Sequence, residues 1–140
     1  MNQLDPNFDW VSARAKCSPD SVIEILKQQI ESDVEKRNTL LSATELQYDI
    51  KFVMAIGSGA FRVSRTRMGE MLEYATFSRA NDGVKVIYSS AMNISPIETR
   101  LTLSDDQECK LRAGERELSF WQFRKLSLEP ILFSPEMVGW

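Results

Sequence analysis

A change in the spacing of apolar residues constrains the fold of this chain more than any other sequence feature. From Val22 to Val34, apolar residues recur at three- and four-residue intervals, which is the period of one face of an α-helix. Beyond about residue 46 the interval falls to two, which is typical of a strand with one buried face. The later connections are too short for the crossovers of a parallel sheet, so the pattern predicts an α+β protein with an antiparallel sheet.

The ends of the helix carry recognisable signals. Ser18 is suited to accept hydrogen bonds from the first free backbone N–H groups, and Pro19 fits the first helical position. Lys36 and Arg37 place positive charge in the last turn, where it interacts favourably with the helix dipole. These features predict a helix from residue 19 to about residue 37.

The remainder of the chain reads as about six or seven short strands. Asp82-Gly83 indicates a hairpin, and we expect its turn to need a positive φ. The stretch from Glu117 to Leu126 has apolar groups on both faces, which is typical of a central strand or of a strand that packs against the helix on one side and a partner on the other. The predicted strands cover residues 48–56, 60–67, 70–79, 84–91, 97–103, 108–112 and 117–126.

These elements indicate one domain with a single helix covering a curved antiparallel sheet. The length of 140 residues and the 43% hydrophobic content are typical of one globular domain. The expected parts are an N-terminal arm at 1–17 (a short strand or irregular), a helix at 18–38, the sheet at 47–133 and a tail at 134–140.

The chain has no histidine, and this absence bears on chemistry more than any motif does. It removes serine and cysteine nucleophiles that depend on a histidine base, and histidine metal sites. Cys17 and Cys109 are too few for a four-cysteine cluster, and we expect both thiols to be reduced in a cytoplasmic protein. We therefore predict no catalytic residue, metal or cofactor, and the balance leans against an enzyme. A membrane helix is not expected, because no apolar run approaches the necessary ~20 residues.

A run of arginines is the first candidate site. Arg62, Arg65 and Arg67 lie on one predicted strand, with Arg79 on a neighbour. Their guanidinium groups suit the carboxylates or phosphates of an acidic peptide, a phosphorylated ligand or single-stranded nucleic acid. The alternative is a solvated edge strand whose charges prevent edge-to-edge pairing. The net charge of −3 disfavours nucleic acid as the partner.

Aromatic residues of the strand region are the second candidate site, as the lining of a pocket or an interface. The alternative is that they form the core. They are Tyr74, Tyr88, Phe120, Trp121 and Phe123.

Three functions follow from these features. The first is a non-enzymatic binding or adaptor domain that uses a sheet face or a helix–sheet pocket and self-associates, with the apolar content of 117–133 as its motivation. The second is a small-molecule pocket protein or enzyme. The third is weak anion or nucleic-acid binding through the arginines.

Overall fold

The computed structural model describes residues 4–41 and 50–133, and it confirms the α+β class with antiparallel pairing. Within these ranges the chain forms three α-helices and eight strands. The predicted boundary near residue 46, the first two residues of the strand predicted at 48–56 and the tail at 134–140 lie outside the described residues. The elements are α1 Trp10–Lys16, α2 Pro19–Leu40, β1 Ile50–Gly57, β2 Ala60–Arg67, β3 Glu70–Arg79, β4 Val84–Tyr88, a 3₁₀ turn Ser90–Met92, β5 Ile97–Glu98, β6 Arg100–Leu103, β7 Cys109–Ala113, β8 Arg116–Leu118 and α3 Phe120–Leu132.

The strands form two antiparallel sheets. The larger sheet has the order β1-β2-β3-β4-β5 and the smaller has the order β6-β7-β8, so within each sheet consecutive strands pair. The turn between β2 and β3 shows why this meander is local: Arg67 pairs with Glu70, and the two residues between them, Met68 and Gly69, have φ of 52° and 81°. Two positive φ values are the requirement of a type I′ hairpin turn.

The helix α2 begins where the sequence predicted and ends at Leu40, about one turn later. The Ser18 side chain accepts a hydrogen bond from the Ser21 N–H, and Pro19 occupies the first turn. Its apolar stripe is buried and the helix packs on β1, β2 and β3. The buried apolar residues of α2 are Val22, Ile23, Leu26, Ile30 and Val34.

The N-terminal arm was predicted as a short strand or an irregular segment, and this prediction is wrong for residues 10–16, which form α1. Asp9 caps this helix, since its carboxylate accepts hydrogen bonds from the Ser12 N–H at 3.1 Å and the Ser12 hydroxyl at 2.6 Å. The local Asp-x-x-Ser pairing is therefore sufficient to start a short helix.

The strand predicted at 97–103 is divided between the two sheets. β5 pairs with β4 in the larger sheet, whereas β6 pairs with β7 in the smaller one. Between them lies the buried Thr99, whose hydroxyl accepts from the Val84 N–H at 3.1 Å and donates to the Val84 carbonyl at 2.8 Å. These hydrogen bonds satisfy buried backbone groups at the point where the chain leaves one sheet for the other.

The strand predicted at 117–126 is wrong beyond Leu118, because residues 120–132 form α3. Ser119 and Gln122 make a capping box: the Ser119 hydroxyl accepts from the Gln122 N–H at 3.3 Å, and the Gln122 side-chain oxygen accepts from the Ser119 N–H at 2.9 Å. The apolar groups that were assigned to both faces of a strand instead lie on successive turns of a helix. This helix contacts α2 and both sheets.

Aromatic packing joins α3 to the larger sheet. The Phe77 ring on β3 stacks on the Phe61 ring of β2 at 4.9 Å between centroids and meets the Phe123 ring of α3 edge-on at 6.3 Å. All three side chains are buried and belong to one continuous core that also includes the stripe of α2. The larger sheet is thus covered on one face by two helices, where the sequence predicted one.

Cys17 and Cys109 form a disulfide, so the expectation of two reduced thiols is not met. The bond joins the residue between α1 and α2 to the first residue of β7. It therefore ties the helical N-terminal region to the smaller sheet across 92 residues of sequence.

Replacing both cysteines tests this bond. We expect Cys17→Ser/Cys109→Ser to lower the free energy of unfolding by about 4 kcal/mol. The disulfide closes a long loop in the unfolded chain, and this closure reduces the conformational entropy of the unfolded state. Urea unfolding of the variant, compared with the wild type before and after reduction, measures the effect. The disulfide would be contradicted if two thiols reacted with maleimide in wild-type protein that was unfolded without a reducing agent.

The hairpin at Asp82-Gly83 is confirmed, but the reason for its glycine differs from the prediction. Gly83 is not among the glycines with positive φ. Instead, a Cβ at this position would lie 1.8 Å from the Thr99 carbonyl oxygen and 2.5 Å from the Thr99 carbonyl carbon. Gly83 is required because the backbone of the crossing segment between β5 and β6 passes directly against it.

Adding one methyl group at Gly83 should therefore disturb the junction of the two sheets. We expect Gly83→Ala to lower the free energy of unfolding by about 3 kcal/mol, because backbone must move to relieve the overlap. Gly57→Ala is the matched control, since its Cβ would lie 3.7 Å from the nearest atom, the Ala60 carbonyl oxygen. Equal urea midpoints for the two variants would refute this account of Gly83.

Candidate functional site

The structure distributes the four candidate arginines instead of gathering them. Arg62 lies on the outer face of the larger sheet, with its guanidinium carbon 3.9 Å from the centroid of the Tyr74 ring. Its Nε donates a hydrogen bond to the Thr76 hydroxyl at 3.0 Å. Arg79 lies at the end of β3 and forms an ion pair with Asp20 in the first turn of α2.

Arg65 and Arg67 are separated from these two residues. Arg65 is 2% exposed on the inner face of the larger sheet, where it forms an ion pair with Glu73 on β3. Arg67 is an exposed residue at the end of β2. No common surface therefore presents Arg62, Arg65 and Arg79 to one ligand.

The five candidate aromatic residues are also separated. Phe123 is fully buried, and Tyr88 is 6% exposed with its hydroxyl donating to the Ser127 carbonyl at 2.7 Å. Burial raises the pKa of the Tyr88 phenol, which keeps it in the neutral, hydrogen-bond-donating form. Tyr74 lies on the outer face of the sheet, and Phe120 is half-buried.

Trp121 differs from the other four because it is exposed and borders surface furrows. It begins a row at intervals of four residues along α3 and its C-cap residue Phe133, which we call the α3 ridge: Trp121, Lys125, Glu129 and Phe133. Trp121 and Phe133 are 58% and 59% exposed, and the Lys125 and Glu129 side chains are 64% and 57% exposed. The ridge therefore has an aromatic residue at each end and one charge of each sign between them.

A furrow runs along each side of the α3 ridge, and all four ridge residues border both furrows. The inner furrow lies between α2 and α3 and has a volume of about 330 Å³. The outer furrow has a volume of about 570 Å³. The inner furrow is also lined by Asp33, Lys36, Arg37, Leu40, Arg124, Leu128 and Leu132, and the outer furrow by Arg116, Gln122, Leu126 and Pro130.

An ion pair spans the inner furrow from helix to helix. The Arg124 Nε of α3 lies 3.5 Å from the Asp33 carboxylate of α2. Partial burial raises the pKa of Asp33, while the positive charges of Arg124 and Lys36 oppose this increase. The pair therefore joins α3 to α2 across the inner furrow.

Arg37 holds the C-terminal end of the ridge. It is 7% exposed, and its Nε donates to the Leu132 carbonyl at 2.8 Å, one of the free carbonyl groups at the end of α3. Its guanidinium carbon lies 4.4 Å from the centroid of the Phe133 ring. Sequence reasoning assigned Arg37 only to the last turn of α2, because the partner is 95 residues away.

The ridge residues Lys125, Glu129 and Phe133 were not predicted as site residues. The signal that could have found them is Ser119-x-x-Gln122, which marks the start of a helix. On a helix, residues four apart lie in a row on one side. Read as a strand, the same residues also share a face, but that face then includes the buried Phe123 beside Trp121.

Two further findings concern the described residues. Across 4–41 and 50–133, no three acidic or cysteine side chains are grouped so that they could hold a metal ion. None of the helices in those ranges has both the length and the hydropathy needed to cross a membrane.

Comparison with known proteins adds no relative: no family model, curated protein or solved structure matches the chain. The site is therefore interpreted from its own geometry.

The hydroxyl of Tyr88 gives a measurable pH dependence. We expect Tyr88→Phe to lower the free energy of unfolding by about 1 kcal/mol near pH 7, since it removes a buried hydrogen bond to α3. The pKa of Tyr88 is raised in the folded protein, so its contribution is complete below about pH 10 and is lost as the pH rises further. The stability difference between wild type and variant should therefore shrink above pH 10.

Urea unfolding at pH 7, 10 and 11 measures this difference. Tyr74→Phe, which changes a phenol on the outer face of the sheet, is the control. A Tyr88→Phe deficit that grows with alkaline pH would contradict the assignment.

Proposed function

We propose that this domain is a non-enzymatic protein-binding module that associates with a second copy of itself through the α3 ridge and its two furrows. The observation that carries this proposal is the exposure of two aromatic side chains, Trp121 in the first turn of α3 and Phe133 directly after its last residue, at the two ends of the α3 ridge. Aromatic residues are enriched at protein interfaces and dominate their energetics.

The surroundings of the two aromatic rings support a protein partner. Leu40 and Leu126 add exposed apolar surface, at 64% and 39%, beside the inner and outer furrows respectively. Charged groups of both signs border the same surface. Interfaces combine exposed apolar groups with charged ones, and large exposed apolar patches commonly mark interaction sites.

A second copy is the favoured partner because the surface combines projections with depressions. A two-fold symmetric dimer needs one patch that is complementary to itself. The ridge supplies the projecting aromatic rings, and the furrows beside it supply space that the rings of another copy can enter. The apolar content of 117–133 motivated self-association from the sequence, and the exposed part of that content lies on α3.

A small-molecule site is the second candidate, and the inner furrow favours it. Its volume of about 330 Å³ and its lining by Leu40, Leu128 and Leu132 resemble those of small ligand pockets. We rank this function below protein binding because the furrow is an open depression between two helices and not an enclosed cavity.

The cellular setting is a separate proposal. Structural disulfides persist mainly in oxidising compartments. The bond between Cys17 and Cys109 therefore favours such a compartment over the cytoplasm that the sequence suggested.

Removing the Trp121 side chain tests the proposed function. We expect Trp121→Ala to weaken self-association by about thirtyfold, as for an aromatic residue that anchors an interface. Sedimentation equilibrium over a range of protein concentrations measures the dissociation constant. Trp10→Ala is the matched control, because Trp10 is 62% exposed on α1, outside the residues that line the furrows.

Two outcomes would overturn the proposal. One is a wild-type protein that remains monomeric throughout the concentration range. The other is an equal loss of association in the Trp121→Ala and Trp10→Ala variants, since this would remove the link to the α3 ridge.

A further inference from the structure

Along the α3 ridge the two aromatic residues occupy the two ends, and the two residues between them carry opposite charges. Trp121 and Phe133 are the outer members, and Lys125 and Glu129 are the inner ones. The midpoint of each pair is position 127. A two-fold axis at that level would exchange the outer positions with each other and the inner positions with each other.

We infer that two copies pack antiparallel along the α3 ridge, with Lys125 of each copy facing Glu129 of the partner subunit. This inference rests on the proposed function and specifies its geometry. The antiparallel arrangement makes the same charge contact twice and brings Trp121 of each copy beside Phe133 of the partner subunit. A parallel arrangement would instead place Lys125 near Lys125 and Glu129 near Glu129, which is unfavourable.

The two inner charges are suited to exchange partners. Within one chain, the Lys125 ammonium lies 3.7 Å from the Glu129 carboxylate, and both side chains are more than half exposed. Such an exposed pair contributes little to stability, so both groups can turn to an opposite charge on another copy at small cost. Arg124, by contrast, is held against Asp33 across the inner furrow.

Helix geometry is compatible with this contact. From its first to its last residue the ridge advances by twelve residue positions, or about 18 Å along the helix axis. Rows at four-residue spacing that pack into one another cross their helices at about 50°. At that angle the two ridges run side by side, and each lies in a furrow of the other copy.

Charge reversal at the inner positions tests this geometry. We expect Lys125→Glu and Glu129→Lys, each alone, to weaken self-association by about tenfold, because each replaces two attractive contacts with two repulsive ones. An equimolar mixture of the two variants should associate as strongly as the wild type, since the mixed dimer pairs Glu at both positions with Lys at both positions. The Lys125→Glu/Glu129→Lys double variant should also recover, because the swap preserves the pairing.

Lys27→Glu is the control, because Lys27 belongs to a partly exposed helical pair with Glu24 on α2, at 2.8 Å, and lines neither furrow. We expect it to leave the dissociation constant unchanged. Thermal unfolding of every variant establishes that its fold is intact. The measurement is again sedimentation equilibrium.

The outcomes separate this inference from the proposed function. Wild-type dimers that are sensitive to Trp121→Ala but unaffected by either single charge reversal would overturn the antiparallel geometry and retain the proposed function. Weakened single variants whose mixture does not recover would overturn the geometry in the same way. A wild-type protein that stays monomeric would overturn both.

Discussion

The burial of two helices against one face of the larger sheet is the interaction on which the remaining structure depends. Phe77 lies at its centre, stacked on Phe61 of the neighbouring strand and touched edge-on by Phe123 of α3. The apolar stripe of α2 joins the same continuous core. Because Phe123, Leu128 and Ile131 face inward from α3, the α3 ridge is left on the exposed side of that helix.

The second constraint is the connection between the two sheets. At Thr99 the chain passes from one sheet to the other, with its hydroxyl bonded to the Val84 backbone and its carbonyl packed against Gly83. The disulfide ties the start of α2 to β7, and α3 contacts both sheets. The hydrogen-bonded crossing at Thr99, the disulfide and the packing of α3 therefore hold the smaller sheet to the rest of the described structure.

Local signals predicted part of this architecture. Ser18 and Pro19 marked the start of α2, and the two-residue period marked β1 to β4, because capping and hairpin turns depend on neighbours in the chain. The same reasoning assigned 117–126 to a strand, since apolar groups on both faces outweighed the short capping signal at Ser119 and Gln122. That one error hid the α3 ridge, because a strand places Trp121 on the same face as the buried Phe123, whereas the helix places them on opposite sides.

The sequence alone determined the α+β class, the position of α2 and the absence of histidine chemistry, since each follows from composition or from contacts within a few residues. Only the tertiary structure decided that Arg65 is buried with Glu73, that Thr99 divides one predicted strand between two sheets and that Arg37 holds the end of α3. These arrangements depend on which distant segments pack together. Long-range packing also selected Trp121, alone among the candidate aromatic residues, to line the furrows beside α3.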